Sequence, residues 1–496
     1  MKIKQNINIV VLFLIAVFLL SACKKKDITN DSGSVVFVDG PLCFTAEEDN
    51  ATIRMIVDWE FATNPNLEYS LDGRNWREFI LGTTVVTLEK AGDKVYFRGD
   101  NPNGFNIGVV GGYANFCFDK KTAASGNIMS IIDPTCETKT IPNQGCFFFL
   151  FGGQSKLTTP PALPATTLTP NCYKVMFIEC TNLKTAPELP AMTLANDCYS
   201  GMFKECVSLT AAPELPATTL AERCYYEMFA RCENLTAAPN LPATTLAASC
   251  YSSMFNGCAS LAKAPALLAT ELAGGCYSSM LACTAITEAP ELPATTMAPD
   301  CYNCMFYYCN NLTNAPELPA TTLAYECYCS MFAYCNNITQ APELPATTLA
   351  ERCYSGMFTK CNSLVSAPAL PATELAHGCY AWMFSECKNL TEAPELPATI
   401  LADHCYEGMF VVCENLTTAP ELPATTLVTA CYYDMFNNCT KLNNIKVYFT
   451  DWDDDYMGTY QWAVNVASNG TFYCPASLPQ EFGPDRIPEG WTVETF

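Results

Sequence analysis

Residues 353–378 read CYSGMFTKCNSLVSAPALPATELAHG. Cys353, Met357 and Cys361 are spaced i, i+4, i+8, and Tyr354 and Phe358 also stand four apart. On a helix these two rows lie side by side on one face, so the spacing predicts a short helix or helical turn. Leu364 then opens a short extended stretch through Ala367, because the residue before a proline avoids the α region. Pro371 has no N–H to donate and ends any ladder there. Each unit is therefore expected to hold one short strand, a proline-set turn and one short helix or helical turn.

The unit recurs. The pair CY falls at 172, 198, 224, 250, 276, 301, 327, 353, 379, 405 and 431, a step of 26 residues with one step of 25. Cys146-Phe147 marks a degenerate copy one period earlier, so about twelve units fill 136–446. A fixed period of this size marks a solenoid, whose units cannot bury an apolar face alone and stack like upon like. APELPATTLA, at 212–221, 315–324 and 341–350, serves as structural punctuation.

The frame F-x-x-C-x-x-L-T, followed by a proline-containing turn, resembles the BspA-like (Treponema-type) leucine-rich repeats of bacterial surface proteins. Those repeats usually run 23 residues with isoleucine-rich strands; the 26-residue spelling is similar to a variant in gut Bacteroidales lipoproteins. The resemblance covers about 310 of 496 residues. It implies an α+β fold built as a curved leucine-rich-repeat solenoid, and a role in adhesion or host interaction.

The flanks differ. Residues 1–22 have a charged start and a short apolar run, which reads as a secretory signal. Leu20-Ser21-Ala22-Cys23 is similar to a lipobox, so Cys23 is the expected lipid anchor, with 23–35 as a flexible tether. Lys24–Lys26 could support the membrane contact. Over 36–135, short alternating runs broken by turns predict a small β-sandwich. Residues 447–496 lack the CY frame and are expected to form a strand-rich cap that ends the apolar stack.

The net charge is −23, from 27 basic against 50 acidic residues, and nothing but Lys24–Lys26 forms a basic cluster, so nucleic acid is not an expected partner. Thirty cysteines admit three readings. Metal binding lacks the CxxC spacing. Disulfides fit an exported chain, but cysteines eight apart on a helix lie beyond bridging reach. Buried free thiols, packing as small hydrophobes, are the favoured reading. Cys276 and Cys283, seven apart, would still share a helical face. Cys304 with Cys329, and Cys43 with Cys117, are the candidate odd pairs. His377 and His404, the only histidines, read as solvent-facing variation. Asn-Leu-Thr at 234–236, 311–313, 389–391 and 415–417 matches a glycosylation sequon but fills frame positions. Asp451 and Asp453–Asp455 read as a solvated acidic loop.

No nucleophile–base pair, phosphate loop or metal cluster stands out, so the expected protein is non-enzymatic and without cofactor. Glu188, Glu214, Glu291, Glu317, Glu343, Glu395 and Glu421 would form an acidic ladder along the stack. It is either a binding stripe for a basic or cation-bridged partner or a solubilising row. The expected function is a cell-surface adhesion lipoprotein of the outer membrane, whose solenoid binds protein or glycan partners of the host or of neighbouring bacteria. The alternative is a glycan-binding lipoprotein with its site at Tyr69 and Trp76 in the sandwich. Ser70–Trp76 resembles an Asp-box one residue short and reads as a hairpin turn with a packed Trp.

Overall fold

The computed structural model describes residues 40–58, 65–106, 112–452 and 456–496. Pro41–Phe496 form one unit. The signal segment, Cys23 and its tether lie outside the described residues, as do Asp453–Asp455.

The protein is strand-rich and almost without helix, and a 26-residue aromatic ladder runs through it. Among the described residues the single helical element is a 3-10 turn, Ile128–Ile131. The helix expected in each repeat does not form. Instead, 171–180 is a chain of turns with a left-handed residue every fourth position: φ is 57° at Asn171, 50° at Val175 and 58° at Glu179. Amides alternate in direction. Lys174, Met176, Ile178 and Cys180 donate three residues back within the coil. Tyr173, Val175, Phe177 and Glu179 donate to the next coil, to the carbonyls of Cys198 (3.0 Å), Ser200 (2.8 Å), Met202 (2.9 Å) and Lys204 (2.8 Å). The period of four seen in the sequence is real, but it belongs to these turns. Each left-handed residue swings the following amides out of a helical path and towards the neighbouring coil.

The expected strand is also largely missing, for a complementary reason. In APELPATTLA the two prolines remove the amides a parallel ladder would use. What remains is sporadic: single parallel bridges such as Thr193↔Thr219, Thr348↔Glu374 and Ser366↔Glu392. The backbone still alternates, with Leu189 and Ala191 buried and Glu188 and Pro190 exposed between them. Inter-coil hydrogen bonding has thus moved from the proline phrase to the CYxxMF turns.

Packing follows the frame. Tyr173, Tyr199, Tyr225 and Tyr251 stack with centroids 5.7–5.9 Å apart and planes within 11°, and the row continues to Tyr432. A phenylalanine row beside it runs from Phe151 to Phe255 and from Phe306 to Phe436, with Leu281 in the gap. Tyr, Met, Phe and Cys of the frame are essentially inaccessible.

Both ends are closed. At the amino end the strands are β1 Leu42–Ala46, β2 Ala51–Val57, β3 Glu68–Ser70, β4 Arg77–Glu78, β5 Val85–Leu88, β6 Lys94–Arg98, β7 Ala114–Phe118, β8 Thr122–Ser125 and β9 Leu157–Thr159. They form a sheet of order β4-β3-β6-β1-β8-β9 and a second of order β5-β2-β7. Phe44 of β1 meets Phe116 and Phe118 of β7 at 5.0 Å, so the sheets share a core. That core runs into the solenoid. Phe116 stacks on Phe151, its amide donates to the Leu150 carbonyl, and β9 lies inside the first coil.

At the carboxyl end, β10 Thr418–Leu422, β11 Asn444–Val447, β12 Thr471–Cys474 and β13 Thr492–Thr495 make a continuous parallel sheet. Here the partner strands carry no proline and can donate. The turn frame outlasts its spelling: Met457, Gln461 and Asn465 repeat the left-handed period, and Phe436 donates to the Trp462 carbonyl. Trp462 then covers the phenylalanine row.

Left-handed backbone costs an L-residue roughly 1–2 kcal/mol, and a β-branched one the most. Two other coils place Gly153 and Gly257 at this frame position, whereas Val412 (φ 59°) does without. Val412→Gly is expected to raise stability by about 1 kcal/mol in urea denaturation. A loss would refute this account of the turn.

Candidate binding surface

All seven predicted glutamates are exposed, at one position of the proline phrase. The ladder is interrupted by Asn240, Ala266 and Ala369, which occupy the same position in their coils. At its carboxyl end Glu421 is neutralised by Lys446 (2.8 Å) and accepts a bond from the Tyr448 hydroxyl. These two partners hold the Glu421 carboxyl below its usual range, the Lys446 bond foremost.

Tyr69 and Trp76 are less available than the glycan alternative requires. Tyr69 packs edge-on against Phe79 at 6.0 Å. The Arg98 guanidinium, bonded to Glu68, lies over the Trp76 ring at 4.2 Å. Between them Asp72 accepts from the amides of Arg74 and Asn75, the Asn75 side chain and the Ser70 hydroxyl. Those bonds, the Asn75 amide first, push its carboxyl well below the ordinary range. The segment is a self-satisfied hairpin turn between β3 and β4.

The cysteines of the frame are free and buried. The second one in a coil also makes a polar contact that spacing does not reveal. Cys180 donates to the Phe151 carbonyl at 3.0 Å, Cys206 to Phe177 at 3.0 Å and Cys361 to Phe332 at 3.1 Å, each one coil back. Burial pushes the Cys172 and Cys387 thiols up to about 12. Cys283 departs from expectation. It is exposed, and Thr284 takes the frame position, bonding the Leu281 carbonyl and meeting Cys309 at 3.5 Å. Cys304 and Cys329 are free and half-buried, and Cys43 and Cys117 are free. A thiol reagent on the native protein is therefore expected to label Cys283 first and the frame cysteines only on unfolding. Rapid modification of Cys172 or Cys361 would contradict the packing.

The Asn-Leu-Thr triplets form an asparagine ladder. Asn234 donates to the Val207 carbonyl (2.8 Å) and Asn415 to that of Lys388 (2.9 Å), again one coil back.

The turn face carries residues that the sequence reading passed over. Tyr307, Tyr308 and Tyr334 cluster with centroids 5.2–6.3 Å apart. Lys360 caps Tyr334 at 4.8 Å and pairs with Glu386. Pairs such as Lys174–Asp197 and Lys204–Glu227 also join successive coils. Their signal in the sequence is the variation at fixed offsets after each CY.

The described surface carries depressions such as that lined by Glu47, Lys121, Thr158, Asn182 and Lys184. Among the described residues no group of three or more His, Cys, Asp or Glu is arranged to hold a metal ion. No helix among them is long and apolar enough to cross a membrane. The architecture and surface together define a repeat solenoid. Comparison with protein-family models, curated proteins and solved structures returns no match.

Proposed function

We propose that this chain is a non-enzymatic binding protein, related to the BspA-like surface lipoproteins, which uses its stacked coils as an extended protein-interaction surface. The observation that carries this reading is the division of each coil. Inward positions are nearly invariant from coil to coil, whereas outward positions of the CYxxMF turns vary on a backbone fixed by inter-coil bonds. Repeated shallow contacts on such a surface yield avidity without a deep pocket. The exposed glutamate row suits a basic or cation-bridged partner, since the net charge of −23 repels anionic ones. Lipidation at Cys23 would hold the protein on the outer membrane, facing the host or neighbouring bacteria. The glycan alternative at Tyr69 and Trp76 is disfavoured by the cover that Arg98 and Phe79 place on the two rings.

Protease treatment of intact cells, with lysed cells as control, tests the location. Release of repeat peptides from intact cells is expected; protection until lysis would remove adhesion to outside partners. Binding is tested with Glu317→Lys and Glu343→Lys combined, on the exposed row. Retention of a basic protein ligand at low salt should fall at least tenfold, whereas unchanged retention would leave the row a solubilising one.

A further inference from the structure

The chain has two histidines in 496 residues, and the fold brings them into contact. His377 and His404 come from adjacent coils, and their ring centroids lie 5.1 Å apart with planes at 61°. His404 Nδ1 bonds the Glu407 carboxylate at 2.7 Å, which leaves Nε2 as the nitrogen able to bind a metal. The His377 ring makes no hydrogen bond to the described protein. Both side chains are half-buried and reach solvent.

We propose that His377 and His404 form a two-imidazole site for a borderline divalent transition ion of the Zn²⁺ class, with Glu407 as a positioning residue. Metal–nitrogen bonds of about 2.0–2.1 Å put the centroids of two imidazoles on one ion roughly 4.5–5.2 Å apart for bond angles near 90–109°. The observed centroid separation of 5.1 Å falls within that range. A carboxylate on the far nitrogen is the usual outer partner of a metal-binding histidine, since it fixes the tautomer and raises basicity. Water fills the remaining positions, in keeping with the absence of any third protein ligand among the described residues. An ion here ties two successive coils together on the outer surface, and its open positions stay accessible to a ligand.

The test is titration of the full-length, reduced protein with Zn²⁺ by calorimetry and with Co²⁺ by visible absorption. One equivalent should bind, and the Co²⁺ spectrum should lack the intense thiolate charge-transfer band. His377→Ala and His404→Ala should each weaken binding at least tenfold. The coils accept alanine at these frame positions, since Ala248 and Ala430 occupy them elsewhere. Glu407→Gln should weaken binding about tenfold and shift the Co²⁺ bands. The proposal is overturned if no saturable binding occurs below millimolar Zn²⁺, or if both alanine variants bind as tightly as the parent. It is equally overturned if binding is lost in Cys283→Ser instead.

Discussion

Raising the pH from 8 to 10 is expected to unfold this protein cooperatively. About twenty frame cysteines are wholly inaccessible, and burial lifts thiols such as Cys172, Cys250, Cys387 and Cys439 from 9.0 to about 12. A group whose folded value is raised contributes stability that is complete below its unfolded value. That contribution is lost as pH rises towards the folded value. Here the window is pH 9.0 to about 12. Below it the thiols are neutral in both states and the fold does not sense pH through them. At pH 10 each costs the fold on the order of 1 kcal/mol, so about twenty together exceed the usual margin of 5–15 kcal/mol. Tyr199, Tyr225 and Tyr406, pushed well above 10.0 by the same burial, add to the loss at the upper end. Circular dichroism and tyrosinate absorbance should change together in one narrow step. A fold that persists to about pH 11 would mean the thiols are solvated or bridged.

Tyr302→Ala is expected to cost about 3–5 kcal/mol, the usual price of emptying an aromatic site in a close-packed core. Its ring is clasped between Tyr277 (5.8 Å) and Tyr328 (5.9 Å). It also lies beside the coil where Leu281 interrupts the phenylalanine row and Thr284 replaces a cysteine. Because each coil contacts chiefly its neighbours, the damage stays local and divides the stack into two blocks. Limited proteolysis should then cut near 276–310 and leave two resistant fragments. Tyr302→Phe keeps the ring and should stay within about 1 kcal/mol of the parent. Tyr173→Phe should gain about 1 kcal/mol, because the Tyr173 hydroxyl is buried without a hydrogen-bond partner among the described residues and Phe147 fills that frame position one coil earlier. If Tyr302→Ala melted the whole chain in one step, the coils would be more strongly coupled than a nearest-neighbour stack allows.

The repeat, its phase and its inward residues were legible in the sequence, because identical side chains must meet at a fixed step. The local backbone was not. Cys353, Met357 and Cys361 carry a spacing that a helix and a chain of four-residue turns satisfy equally well. Only positive φ at Arg352 and Lys360, with Gly356 between them, separates the two. The prolines held the missing clue: a strand with two unusable amides in each coil cannot hold a solenoid together, so the bonds had to lie elsewhere. The short coil misled for a different reason. Counting from Cys276 to Cys283 matched residue type, whereas counting eight places to Thr284 would have matched position. The glutamate row was visible because exposure follows from alternation, but the tyrosine cluster and the histidine contact depend on which turn residues face outward.

In most proteins the segments freest to vary are loops with loose backbones, and binding through them carries an ordering penalty. Here the arrangement is inverted. The residues that differ most between coils, such as Glu179, Tyr308, Lys360 and Trp382, sit on the stretch whose amides bind the next coil. The recurring proline phrase has few such bonds. Amide exchange should be slowest directly beneath the variable side chains. A partner arriving there meets groups whose main-chain freedom was surrendered on folding, and evolution can rewrite them one at a time without loosening what presents them.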